Sequence, residues 1–240
     1  TFTNKPIIHK TLLIYGLPES VLAEKIAEWE NALPEFVKLA YLPAPGFIRL
    51  RLSIYEAEPE HQMLIEDLII NLKKIIAKNI FAEEDIKPEK LIGQLLKAKG
   101  KTLSTAESCT GGKISSLITS IPGSSVYYKG SIIAYDNSVK TNILAVKSEI
   151  LKEYGAVSQQ VVEKMAYGIL NLLKTDYSIA VSGIAGPDGG TPEKPVGTIW
   201  IAVASHEKTI SKKYQSLNDR ETNILRASNT ALAMLIEMIQ

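Results

Sequence analysis

Beyond Lys87 the chain alternates short apolar runs with segments whose apolar residues recur at helical spacing, and this alternation restricts the fold more than any other feature. It reads as a helix ending at Gly100, a strand over 101–106, a helix to about Ser120, a strand over 131–135 and helices across 138–173. Strands over 177–182, 197–204 and 208–215 follow, before a last helix capped by Asp219. Strands separated by helices pair parallel through crossovers, whereas strands joined by a short turn pair antiparallel. The pattern therefore predicts a three-layer α/β domain with a mixed sheet whose final two strands form a hairpin.

Residues 1–87 read as a small α+β unit. A strand over 12–15 precedes a helix from 20 to about 32, with Leu22, Ile26 and Trp29 on its inner face. Two strands flank Pro43-Ala44-Pro45-Gly46, pairing 38–41 with 47–51 across the turn. In the longer helix that follows, Leu64, Ile65, Leu68, Ile69, Leu72, Ile75 and Ile76 make a stripe wide enough to cover one face of a small sheet. Arg49 and Arg51 share a face of their strand, either as its wet side or as a phosphate contact. The polar, acidic stretch 81–88 closes with Pro88 and is the best linker, which divides the chain into 1–87 and 88–240.

Composition narrows the partners. With 45% hydrophobic and 22% charged residues and a net charge of +1, the chain has no general field to gather nucleic acid or anionic lipid, so phosphate recognition must be local and a small-molecule partner is expected. No apolar run approaches the roughly 20 residues of a membrane helix, and no secretory signal opens the chain, so a cytoplasmic location is expected. The lone Cys109 excludes an internal disulfide and a thiolate cluster, and His9, His61 and His206 lack ligand-like spacing, so no structural metal is expected. Thr1 in place of Met is expected of a fragment or processed product.

Chemistry concentrates in Thr105-Ala106-Glu107-Ser108-Cys109-Thr110-Gly111-Gly112, where an apolar strand runs into a helix and free backbone N–H groups would face whatever sits beside Ser108. A serine hydroxyl needs a base to take its proton. His206, at a turn between late strands, is badly placed for that, which argues against a Ser-His-Asp triad. Lys140 is the alternative base, following Tyr135 and the turn Asp136-Asn137-Ser138 at the same sheet edge. Lowering its pKa from about 10.4 to near neutrality requires about 4 kcal/mol, which burial supplies, so the site should be enclosed. Tyr135 would then relay the proton or hold the lysine, and N–H groups after Ser108 would receive an oxyanion. The bland alternative makes Tyr135 strand filler and Lys140 a solvated helix-start residue. A second loop, Ser182-Gly183-Ile184-Ala185-Gly186-Pro187-Asp188-Gly189-Gly190, leaves a strand end, where open α/β sheets bind ligands, although turn chemistry alone also explains its glycines. Gly123-Ser124-Ser125 and Asp219-Arg220 add hydroxyls and a guanidinium suited to phosphate.

Taken together with Gly155-Ala156-Val157-Ser158, these motifs resemble the CinA C-terminal family over about 89–240. The resemblance implies a nicotinamide-nucleotide amidohydrolase that converts nicotinamide mononucleotide to nicotinate mononucleotide and ammonia, with no metal or organic cofactor. It implies Ser108 as nucleophile, Lys140 as base and Tyr135 as the third member of the arrangement. Substrate contacts are expected from Glu107, Cys109, Thr110, Gly111, Gly112, Ser124, Ser125, Gly183, Ala185, Gly186 and Arg220. Residues 1–87 resemble the KH-like middle domain of CinA proteins, and the family's molybdopterin-binding-like N-terminal domain is missing from this sequence. Self-association is also implied. One departure is that many relatives have Gly-Asp-Arg before the last helix, where this chain reads Leu217-Asn218-Asp219-Arg220. Two other readings stand beside the enzyme: a nucleotide-binding or scaffolding module that breaks no bond, and a nucleic-acid-binding first domain. The last is disfavoured because no Gly-x-x-Gly lies between its helices and acidic residues cover it.

Overall fold

The structure, a computed structural model, describes residues 6–216 and 219–240. The departure at Leu217 and Asn218 falls outside the described residues. The chain forms two compact units, the first ending at Ile86 and the second spanning Lys87–Gln240.

The first unit runs β1 (Ile8–Tyr15), α1 (Glu19–Asn31), β2 (Val37–Ala44), β3 (Phe47–Ile54), α2 (His61–Ile76) and β4 (Ile80–Ala82). Its antiparallel sheet has the order β2-β3-β1-β4. Alternation along β1 and β3 sends Leu12, Ile14, Leu50 and Leu52 to one face, where Leu22, Ile26 and Trp29 of α1 and Ile65, Ile69 and Leu72 of α2 cover them. Each such buried side chain contributes about 1.5–3 kcal/mol. Gly46, at φ 90°, makes the tight turn between β2 and β3. On the strand's other face Asp85 holds both arginines, Arg51 at 2.7 Å and Arg49 at 3.3 Å. One carboxylate thus bridges the two guanidinium groups within the unit. β4 corrects the linker assignment, since Phe81 and Ala82 belong to the sheet beside β1.

The second unit runs α3 (Pro88–Lys99), β5 (Leu103–Glu107), α4 (Lys113–Thr119), β6 (Tyr128–Ile133), α5 (Asn137–Asn142), α6 (Ser148–Tyr154), α7 (Gln159–Leu173), β7 (Tyr177–Gly183), β8 (Thr198–Ser205), β9 (Thr209–Gln215) and α8 (Arg220–Ile239). Pro88 opens α3, where its missing N–H has no helical partner to lose, and left-handed Gly100 closes it. The sheet order is β6-β5-β7-β8-β9, with β6, β5 and β7 parallel and β8 and β9 antiparallel, which is the expected mixed three-layer architecture. On one face α7 lays Val161, Met165 and Ile169 against Ala106, Ala180, Ala202 and Ala204, whose small side chains let the helix sit close. The other face is covered by α8, with α3 and α4 packed against it.

Because β5 is parallel to both neighbours, the carboxyl ends of β6, β5 and β7 open at one sheet edge. Strand β6 ends at Ile133, earlier than the expected 131–135, so Tyr135 lies in the connection to α5. The helical stretch 138–173 resolves into α5, α6 and α7.

Packing on α7 is testable. Ile169 is fully buried and Leu172 is 48% exposed on the same helix. Ile169→Ala is expected to destabilise the second unit by about 2–5 kcal/mol, and Leu172→Ala by under about 1 kcal/mol, in urea unfolding. Equal losses would contradict the assignment of α7's inner face.

Candidate active site

The site assembles where β5, β6 and β7 end. A cavity of about 280 Å³ is lined there by Ser108, Cys109, Tyr135, Lys140, Gly183, Ala185, Gly186 and Arg220 from the expected set. Asn137, Ala156, Val157 and Asp188 also line it, and sequence reasoning assigned them no contact. Their signal was adjacency, since each lies inside a turn or motif already singled out. Ser182 Oγ donates to Ala156 O at 2.7 Å, tying the 155–158 turn to β7.

Ser108 follows the last residue of β5, and its N–H donates to Val181 O at 2.9 Å, fastening it to β7. Lys140 is held by local chain geometry. Asp136 caps α5 by accepting from Ser138 N–H at 2.7 Å, which turns the chain so that Lys140, one turn in, points back at the strand end. Lys140 is 1% exposed, and its Nζ donates to Ala134 O at 2.7 Å and Tyr135 O at 3.2 Å. Burial pushes the Lys140 pKa below its ordinary 10.5, against the opposing pull of Asp136 and Cys109. A neutral amine has two N–H bonds and one lone pair. In that form the two carbonyls would take both N–H bonds and the lone pair would stay open to a proton.

Tyr135 departs from expectation. It is 62% exposed, and its phenol accepts from Arg220 Nη2 at 3.2 Å, so it holds the lysine through its backbone carbonyl alone. Arg220 Nη1 also donates to Gly186 O at 2.7 Å, which locks the second glycine loop to the start of α8. Among the described residues no hydrogen bond joins Ser108 Oγ to Lys140 Nζ. The expected contact is thus replaced by two groups facing one cavity.

The expectation that α4's N-terminus faces the ligand is corrected by Glu107. That carboxylate is fully buried and accepts from the N–H groups of Gly112 at 3.0 Å, Ile114 at 3.1 Å and Ser115 at 2.8 Å. It caps the helix from inside and does not line the cavity. What remains is smaller: among the described residues the N–H groups of Cys109 and Thr110 donate to no backbone carbonyl, and that of Cys109 interacts with its own thiol. Thr110, Gly111 and Gly112 do not line the cavity. Gly111 and Gly112, at φ 58° and 98°, instead make the left-handed turn that brings Glu107 under the helix. Burial raises the Cys109 thiol to about 12, so it stays protonated and is no rival to the serine. Ser124 and Ser125 form a short 3-10 turn just before β6 begins, at the end of the parallel sheet opposite Ser108. They are not brought to the cavity.

Among the described residues no three His, Cys, Asp or Glu side chains are grouped to hold a metal ion, and no helix is long and apolar enough to cross a membrane.

Two consequences can be measured. Glu107→Ala strands three buried or half-buried N–H groups, so it is expected to cost about 3 kcal/mol or more in chemical unfolding; a loss under about 1 kcal/mol would contradict the cap. Lys140 reports through pH. Between its depressed pKa and the unfolded value of about 10.4, the unfolded chain binds one more proton than the folded chain. Its destabilising contribution is therefore full at low pH and fades as pH rises through that window. The stability of Lys140→Met minus that of the parent should fall as pH rises toward about 10. A difference independent of pH would contradict the burial.

Comparison with known proteins follows this geometry. Residues 85–239 match the CinA C-terminal domain model, and residues 9–82 match the KH domain of damage-inducible protein CinA. The CinA-like protein of Cytophaga hutchinsonii is 44% identical over 239 residues, 98% of this chain and 56% of that protein. The CinA-like protein of Flavobacterium psychrophilum is 45% identical over 237 residues, 97% of this chain and 56% of its own length. The chain thus spans just over half of these curated relatives. Among solved structures, the competence/damage inducible protein CihA from Agrobacterium tumefaciens is 37% identical with a TM-score of 0.63, covering 64% of this chain and 94% of that one. The competence damage-inducible protein A from Klebsiella pneumoniae is 36% identical with a TM-score of 0.61, covering 63% and 96%. With both units matched in order along the sequence, the chain belongs to the CinA family.

Proposed function

We propose that the second unit hydrolyses the carboxamide of nicotinamide mononucleotide to nicotinate mononucleotide and ammonia through an acyl-serine. The observation that carries this reading is the buried Lys140 amine, its N–H bonds matched by two carbonyls, on the same cavity as Ser108. The substrate is the one the family resemblance implies, and a cavity of about 280 Å³ with an arginine on its wall suits a phosphorylated ligand reaching in by its amide end.

Lys140 Nζ takes the Ser108 hydroxyl proton as Oγ attacks the carboxamide carbon. The oxyanion is met by the backbone N–H of Cys109, the residue after the serine on the cavity wall. The C–N bond then breaks, Lys140 returns its proton to the leaving nitrogen, and ammonia departs. Water attacks the ester with Lys140 again as base, and collapse gives the carboxylate and restores the serine. Contacts between a serine and its base commonly tighten only in the substrate complex, which is consistent with their separation in this cavity.

A second reading draws on that separation: a site that binds the nucleotide and breaks no bond. Incubation with nicotinamide mononucleotide separates the two. The enzyme reading expects ammonia release that falls by ~10³-fold or more in Ser108→Ala and in Lys140→Met. It also expects kcat/KM to rise with pH through a value below 10.5. Calorimetric binding without ammonia would establish the binding module instead, and turnover unchanged in Ser108→Ala would remove the serine from the mechanism.

A further inference from the structure

The cavity's opposite charges do not pair with each other. Arg220 directs Nη1 to Gly186 O and Nη2 to the Tyr135 phenol, both neutral acceptors. Asp188 lines the same cavity and makes no hydrogen bond or ion pair among the described residues. Arg220 is fastened to the loop that carries Asp188. Asn223 Nδ2 donates to Ala185 O at 3.0 Å and Gly197 N–H to Ile184 O at 2.7 Å, so both ends of the 184–197 loop that carries Asp188 are anchored. A cation and a carboxylate on the lining of one cavity gain by touching. Here the guanidinium is held elsewhere, and Asp188, an exposed residue on the cavity's lining, has no partner among the described residues.

A site for a simple anion gains nothing from such a carboxylate and is weakened by it. Beside Lys140, whose charged form burial disfavours, Arg220 and Asp188 give the cavity wall one positive and one negative side chain. That pattern complements a ligand carrying both signs. We infer that Asp188 reads the positive ring of the substrate, so that the cavity selects an N-substituted pyridinium carboxamide bearing a phosphate over the same nucleotide with an uncharged ring. Tyr135, exposed on the same wall, adds an aromatic ring suited to a cationic partner. The inference rests on the substrate class proposed above and adds which redox form of that nucleotide is recognised. Asp188 is a specificity residue in this account and takes no part in bond breaking.

The test compares two probes by calorimetry on the full chain, with Ser108→Ala present to prevent turnover: nicotinamide mononucleotide and its dihydro form, which shares the amide, ribose and phosphate but has a neutral ring. The oxidised form should bind roughly five-fold tighter, the value of one exposed charge pair. Adding Asp188→Asn should bring that ratio to about one, with the dihydro form binding no more weakly than before, and Asp188→Glu should restore the preference. A ratio that survives Asp188→Asn, or no preference in the Ser108→Ala protein, overturns the inference. Should the wild type release ammonia from the nucleotide while the ratio stays fixed, the inference alone falls; should neither probe bind, the substrate class falls with it.

Discussion

The site depends on a lysine amine sealed inside the protein and held by the carbonyls of Ala134 and Tyr135. Those carbonyls are fixed in turn. Ala134 N–H donates to Glu107 O at 2.7 Å, so the residue before the serine also anchors the segment that receives the lysine. One peptide unit at the end of β5 therefore sets both partners, and burial does the electrostatic work by disfavouring the ammonium. In water the same pair would be an inert alcohol beside a charged amine.

Glu107 explains why the helix that follows the serine is not the anion site that its position implies. A buried carboxylate close to three N–H groups satisfies the helix from within and fixes the double-glycine turn. Of the residues that follow Ser108 in this turn, Cys109 alone lines the cavity.

Much of the fold was legible because its signals are strong: helical periodicity in α2 and α7, Gly100 at a helix end and the Asp219 cap all appear in the sequence with their usual chemistry. β4 was not, because three residues are too few to show alternation and acidic neighbours resemble a linker. For the site, strand-end positions were readable because parallel strands bring their carboxyl ends together, which is how Ser108, Tyr135 and Gly183 come to one edge. Side-chain direction was not readable. Nothing in the residue types indicates that Glu107 points inward, that the Tyr135 phenol turns to Arg220, or that Ser124 and Ser125 sit before β6 at the far end of the sheet. Pairing of charges is likewise a three-dimensional fact, and Asp188 gains its meaning only from what Arg220 already holds.

The central claim is that Lys140 is uncharged when the serine needs a base. Nitrogen NMR of the lysine side chains, assigned by comparison with Lys140→Met and followed across pH, measures this without any assumption about substrate. The account predicts one ammonium that titrates below the ordinary 10.5. A Lys140 signal that stays protonated up to that value would contradict it.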